Sequence, residues 1–231
     1  MKKTIISLLL CMLIMCGCSS GTATAFTVNG CDVEKDELLF YMNRLLDVTV
    51  SDIESEYGVS VTDNGFWDTP VGDTTPLEIL KSAAVEQITR IKLEFLCAEE
   101  YDIETIPVKY SQQMEAWKRD NDERQRKDAN GETVYGNVLR SFYTYFQDNY
   151  LSMQSSLKTA LVENGVITIT DNELEKYYNE YKSDLNGSFE ESENVVYGWV
   201  LDEKYESYID SLESSVKISY EDMQVETSEL T

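Results

Sequence analysis

The sequence has 231 residues, of which 43 are acidic and 19 are basic, and its formal net charge at pH 7 is −24. This composition rules against nucleic-acid binding, because so acidic a chain has no basic surface to replace the counterions of a phosphate backbone. Histidine is absent, which excludes Ser-His-Asp and Cys-His couples and histidine-ligated zinc. We expect no cofactor and no metal, since phosphate-binding glycine motifs are missing and an acidic face is usually only solvated.

The start of the chain has the pattern of an export signal. Lys2 and Lys3 precede an apolar run from Ile5 to Met15, which is too short to span a bilayer as a helix. Gly17 and Cys18 follow, and small residues come after them. This arrangement resembles a bacterial lipoprotein signal, in which a small residue precedes the cysteine that receives lipid.

Two features of this signal leave alternatives open. Met15 and Cys16 depart from the lipoprotein pattern, and Cys16 is a competing anchor. An ordinary secretory signal cut near Ala23 or Ala25 would release the protein instead. We predict a signal peptide over residues 1–17, lipid attachment at Cys18 and a linker over 18–25, which places the protein outside the cytoplasm and anchored to the membrane.

The first half of the remaining chain predicts a strand–turn unit followed by three helices. Asn29-Gly30 favours a tight hairpin turn within residues 26–33. Helix one is expected over 34–57 and helix two from Pro76, with Thr75 as its cap and an apolar stripe reaching Ala98. Helix three begins at Ile106-Pro107 and runs through Trp117. The mixed-charge run over 118–128 then forms either an exposed helical extension or a mobile loop.

The second half predicts further helices and a closing strand. Helix four is expected over 132–163, and a capping box formed by Thr170 and Glu173 opens helix five. A strand over 194–201, a sixth helix from Asp202, a strand over 216–220 and a frayed acidic tail over 222–231 complete the chain. We expect the segments 26–28 and 216–220 to pair, because isolated edges are poorly stable. Cys31 and Cys97 either form a disulfide, or Cys97 is a buried small hydrophobe.

The order of these elements resembles the chaperone portion of the SurA/PrsA family of extracytoplasmic foldases. The resemblance covers nearly the whole chain after the signal and depends more on the order of the segments than on any one of them. The segments are Val28-Asn29-Gly30 before an acidic helix, Gly65-Phe66-Trp67, Ala98-x-x-Tyr101-Asp102-Ile103, Ile169-Thr170-Asp171-Asn172-Glu173-Leu174-x-x-Tyr177-Tyr178, and Tyr208-Ile209-x-x-Leu212 with Val216-Lys217-Ile218.

The resemblance implies a mainly α fold, a SurA N-terminal-like helical chaperone domain over residues 26–221. Family members commonly insert a parvulin-type prolyl isomerase domain where this chain has only the segment from Leu185 to Asp202, which is too short for a domain. Parvulin sites also generally use histidines. The resemblance therefore implies a chaperone without isomerase catalysis, for unfolded exported polypeptides, and a divergent active isomerase is the enzyme alternative.

Helix four carries more aromatic rings than one buried stripe needs. Rings offer large contact area at little rotamer cost, which suits varied clients. The candidate client-binding residues are Trp67, Trp117, Phe142, Tyr143, Tyr145, Phe146 and Tyr150. Alternatively, these rings only form part of an ordinary hydrophobic core and its rim. The alternative for the function is an acidic surface lipoprotein that binds a small ligand or a fixed protein partner.

Overall fold

The computed structural model describes residues 23–185, 187–221 and 223–230. The predicted signal peptide and the lipid attachment at Cys18 lie outside these described residues. Within them the fold is mainly helical, with a small three-stranded antiparallel sheet. Its helices are α1 (Lys35–Tyr57), α2 (Pro76–Glu100), α3 (Tyr110–Ala129), α4 (Phe142–Glu163), α5 (Asp171–Tyr181) and α6 (Phe189–Glu213), and its strands are β1 (Thr24–Val28), β2 (Cys31–Glu34) and β3 (Ile218–Tyr220).

The sheet joins the two ends of the described chain, as predicted. Its strand order is β2-β1-β3, with Val28 opposite Cys31 on one side and opposite Ile218 on the other. Asn29 and Gly30 both have positive φ, as a two-residue hairpin turn requires. Asn29 also binds Lys217 twice, because its N–H donates to the Lys217 carbonyl and its side-chain oxygen accepts from the Lys217 N–H. The turn thus holds the start of β3 in register.

Three apolar clusters hold the helices together. The largest lies under the sheet and between α1, α2 and α4, and includes Phe26, Leu38 and Phe95. A second cluster joins the ends of α2 and α4 to the C-terminal half of α6. The third is confined to residues 169–200 and has Leu174, Val196 and Val200 at its centre. We call α5 together with Phe189–Val200 of α6 the arm, because these segments pack mainly on each other.

Several predicted boundaries are confirmed. Thr75 accepts a hydrogen bond from the Glu78 N–H at the start of α2, and Thr170 and Glu173 form the predicted capping box of α5. The mixed-charge run after Trp117 is helical and extends α3 to Ala129. The first strand begins at Thr24, so the last two residues of the predicted linker belong to the sheet.

Helix four begins ten residues later than predicted, at Phe142 after the cap Ser141. Side chains of α3 explain the difference, because they bind the backbone of the segment 132–141 and compete with helix formation there. Trp117 and Asn121 donate to the Arg140 carbonyl at 2.7 and 2.9 Å. Arg124 donates to three further carbonyls of the segment, those of Tyr135, Asn137 and Val138.

The predicted strand over 194–201 and the predicted helix start at Asp202 are both wrong. Ser188 and Glu191 form a capping box that starts α6, and the helix continues through the whole β-branched and aromatic segment. Val196 and Val200 are four residues apart and both are buried, so helical spacing places them on the face that packs against α5. Tertiary packing outweighs the strand propensity of the individual residues.

The acidic tail is packed rather than frayed over the residues that the structure describes. Val225 is buried in the main core, and Met223 and Leu230 pack against it. Glu229 forms an ion pair with Lys35 at 3.3 Å. Met223 and Val225, two positions apart, and Leu230 are the apolar signal that the acidic composition of this tail obscures.

Candidate binding cleft

A cleft of about 200 Å³ opens to solvent between α1, α2 and α4. Each helix presents residues three and four positions apart, the spacing that puts side chains on one helical face. The lining residues are Tyr41, Arg44 and Leu45 of α1, Gln87, Arg90 and Ile91 of α2, and Tyr143, Phe146, Gln147 and Tyr150 of α4. The volume is below the range of about 300–1,000 Å³ that is typical of ligand pockets, and it suits a single side chain.

Aromatic rings form one wall of the cleft. Phe146 and Tyr150 are stacked, with ring centroids 5.3 Å apart and planes 20° from parallel. Tyr41 meets Phe146 edge-on at 6.5 Å. Phe95 lies behind them, within 6.4 Å of Phe146 and 6.1 Å of Tyr150. This ring packing holds the wall in place without a bound ligand.

Two guanidinium groups on this cleft have different surroundings. Arg90 is shared among four carboxylates, those of Glu94, Glu206, Asp210 and Glu213. Arg44 instead lies over the Tyr143 ring, 3.8 Å from its centroid, and forms no ion pair with any residue that the structure describes. A guanidinium stacked on a ring keeps its N–H edge free for acceptors. Arg44 is therefore a charged donor available to a bound molecule.

A buried carboxylate supports the cleft from behind. Glu94 is fully buried and accepts hydrogen bonds from the Tyr150 hydroxyl and, at 3.0 and 3.2 Å, from the Gln154 amide. Burial raises the pKa of Glu94, and the hydrogen bonds from Tyr150 and Gln154 lower it in part. Burial and Glu94 together raise the pKa of Tyr150. Tyr150 thus remains a protonated donor at neutral pH, and its orientation is set by Glu94.

The structure brings three of the seven predicted client-binding residues together: Tyr143, Phe146 and Tyr150 line the cleft. The other four lie elsewhere. Phe142 is buried against Phe40, Tyr110 and Trp117, whose indole N–H binds the Arg140 carbonyl. Tyr145 is buried under Arg140, and Trp67 packs against Phe66 in the loop before α2. Of the seven, Tyr143 is the most exposed, with 37% of its surface accessible.

The sequence reasoning missed the cleft residues of α1 and α2. Arg44, Gln87 and Arg90 are polar residues beside apolar helix stripes, and nothing in the sequence shows that α1 and α2 bring them to one place. It also missed the rings of the arm, which carries Tyr177, Tyr181 and Trp199. The i, i+4 spacing of Tyr177 and Tyr181 is visible in the sequence, but the predicted strand over 194–201 separates Trp199 from them.

Cys31 and Cys97, which the structure describes, are not joined by a disulfide. Cys97 is buried in α2, its sulfur lies 3.6 Å from the Tyr208 hydroxyl, and burial raises the pKa of its thiol. Among the described residues no group of histidine, cysteine and carboxylate side chains is arranged to hold a metal ion. In the same part of the chain, no helix is long and apolar enough to cross a membrane.

Comparison with models of known protein families, with curated proteins and with solved structures finds no significant match for this chain. The resemblance to the SurA/PrsA foldases therefore depends on the sequence segments alone and stays a prediction.

Proposed function

We propose that the protein is a non-catalytic, lipid-anchored extracytoplasmic chaperone that holds apolar side chains of exported polypeptides in the cleft between α1, α2 and α4. The observation that carries this proposal is the combination of an aromatic wall with Arg44, which forms no ion pair with the described residues, at a site open to solvent. The anchor at Cys18 and the extracytoplasmic location come from the sequence pattern.

The lining of the cleft suits a side chain together with the backbone next to it. Phe146, Tyr150 and Ile91 offer apolar contact, and fully burying one large apolar side chain is worth about 1.5–3 kcal/mol. Arg44 can donate to a backbone carbonyl of the same segment, and the amides of Gln87 and Gln147 can donate or accept. Such binding is weak and independent of a particular client sequence, which is what temporary holding requires.

The size of the cleft favours a second candidate function. A site for one side chain also suits a fixed partner that inserts one anchor residue, as hot spots do in protein interfaces. The burial of Phe142 and Tyr145 reduces the exposed aromatic area that a broad client surface would need. The alternative is therefore an acidic surface lipoprotein that binds a small ligand or one protein partner.

The test compares two exposed tyrosines, Tyr143 in the cleft and Tyr135 on the loop before α4, whose accessible fractions are 37% and 86%. Residues 19–231 should slow aggregation of a chemically denatured client. Tyr143→Ala should raise the concentration needed for half-suppression about threefold, because it removes one aromatic contact and the platform under Arg44. Tyr135→Ala should leave that concentration unchanged. Phe146 is unsuitable for this test, since its loss would also open the core.

The outcomes separate the two functions. If the unchanged protein suppresses no client, the fixed-partner alternative is favoured. If both tyrosine variants weaken suppression equally, holding occurs outside the cleft. A protease-coupled assay on a proline peptide should show only the uncatalysed rate over a barrier of about 18–20 kcal/mol, because the chain has none of the histidines that parvulin sites generally use.

A further inference from the structure

A second aromatic surface lies on the arm, and none of its residues lines the cleft. Tyr177 and Tyr181 of α5 are four residues apart, and their ring centroids are 4.7 Å from each other. Trp199 of α6 meets both, at 6.5 Å from Tyr177 and 6.3 Å from Tyr181. We call these three residues the ring triad. Tyr181 is exposed, with 36% of its surface accessible, and the other two are half-buried.

The ring triad is not needed as the core of the arm. That core consists of Leu174, Val196 and Val200, and of the triad only Tyr177 packs against it. Tyr181 and Trp199 contact Tyr177 and each other rather than this core. Large rings kept together at a surface mark a site of interaction more often than scattered exposed residues do.

Carboxylates surround the ring triad. Glu203 follows Trp199 by one turn of α6, and Glu180 directly precedes Tyr181 on α5. Burial raises the pKa of Tyr177, and the negative charges of Glu203 and Glu180 raise it further. Lys204 is already paired with Glu173 at 2.6 Å. Over residues 171–203 the sequence has ten acidic residues and two lysines, a net charge of −8. The electrostatic potential around these rings is therefore negative.

We propose that the ring triad, with Glu180 and Glu203 beside it, binds arginine or lysine side chains of a partner polypeptide. An aromatic face carries negative quadrupole charge and attracts a cation placed over it, and nearby carboxylates add to this attraction. The charge complementarity selects basic segments and repels acidic ones. This function goes beyond the cleft, which takes apolar side chains, because the two surfaces would recognise different parts of a polypeptide.

The arm can be tested without disturbing the cleft. Fluorotryptophan labelling gives each of the three tryptophans its own fluorine signal, and Trp199→Phe assigns the one from the arm. Titration with the peptide acetyl-Gly-Arg-Gly-Arg-Gly-amide should shift the Trp199 signal more than those of Trp67 and Trp117. Tyr181→Ala should weaken this binding about fivefold, the loss expected for one cation–aromatic contact. Tyr197→Ala is the matched control on α6, equally exposed and outside the ring triad.

Several results would overturn the proposal. One is a shift of the Trp199 fluorine signal by a glutamate peptide of the same length that equals the shift by the arginine peptide. Another is a loss of binding with Tyr197→Ala as large as that with Tyr181→Ala, which would mean that the ring triad has no specific role. Phosphatidylcholine vesicles carry a quaternary ammonium group that an aromatic site can also bind, so a shift of Trp199 with vesicles and not with the arginine peptide would assign the surface to lipid instead. Failure of the aggregation test at Tyr143 would leave this result unaffected.

Discussion

Glu94 is a carboxylate in the interior of a protein that has a large excess of negative charge. Its neighbours explain how it is tolerated: Tyr150 and Gln154 donate to it, and Arg90 lies 3.9 Å from it. Burial nevertheless raises its pKa above the ordinary value of 4.5. The buried charge of Glu94 thus lowers the stability of the folded protein. The same carboxylate fixes the Tyr150 ring at the wall of the cleft by accepting a hydrogen bond from its hydroxyl.

This cost should appear in the pH dependence of folding. A carboxyl whose pKa is raised in the folded protein binds its proton more tightly there than in the unfolded chain. The folded state therefore loses stability as the pH rises from about 4.5 through the raised pKa. In urea denaturation over that range, Glu94→Gln should remove the loss, and at neutral pH the variant should be more stable than the unchanged protein by on the order of 1 kcal/mol.

The matched control is Glu86→Gln, which makes the same charge change at an exposed position of α2. It reports the general effect of removing one negative charge from an acidic protein. If both variants change the pH dependence equally, the effect comes from overall repulsion and not from the burial of Glu94. Arg90 keeps three other carboxylates in Glu94→Gln, so no buried charge is left unpaired.

Among the elements, the strand pairing of the sheet is predictable from the sequence, whereas the helical structure of the first half of α6 is not. Asn29-Gly30 specifies a hairpin turn locally, and alternating residues at both ends of the chain point to strands. The segment around Val196 is rich in residues that favour strands, and its packing against Leu174 outweighs that preference. Local chemistry decided the first case, and a tertiary contact decided the second.

The same distinction holds at the site. Phe146 and Tyr150 are four residues apart, a spacing that puts them on one face of α4, and they are neighbours in the cleft. Arg44 and Gln87 join them only because α1 and α2 pack together, and helix pairing cannot be read from periodicity. Phe142 shows the opposite error, since its ring suggested a surface role and the structure buries it against α3.

The sheet should contribute strongly to stability through its buried face. Phe26 is fully buried in β1 and lies opposite Tyr220 of β3. Phe26→Ala should lower the free energy of unfolding by about 3–5 kcal/mol, because it removes a large side chain and leaves a cavity. Ser219→Ala, at an exposed position of β3, should change it by less than about 0.5 kcal/mol. Urea denaturation measures both, and similar losses would contradict the packing described here.

At the scale of the whole molecule, the negative net charge opposes the proposed attachment to the membrane. Loss of Lys2 and Lys3 with the predicted signal would lower the net charge from −24 to −26. A surface of that charge is repelled by anionic lipid headgroups, so it contributes nothing to membrane attachment. The proposed lipid at Cys18 would then have to hold the protein alone, and two or more acyl chains are sufficient for that.

The anchor makes a prediction that concerns the whole protein. The membrane fraction should contain the protein with an acylated N-terminal Cys18, measured by mass spectrometry after detergent extraction. Cys18→Ser should release it from the membrane, whereas Cys16→Ser should leave it attached. A mature N-terminus at Thr24 or Phe26 without lipid would contradict this and favour the ordinary secretory signal.

The pairing of β1 with β3 also sets an order of events for a chain that leaves a ribosome or a translocation pore from its N-terminal end. Thr27 emerges early, but its partners in β3 follow α1 to α6 in the chain. Until those residues arrive, β1 has an open edge, and contacts so distant in sequence form slowly. The closure of the sheet must therefore follow the emergence of β3. A protein proposed to hold unfinished polypeptides would itself pass through a stage with an unpaired strand edge.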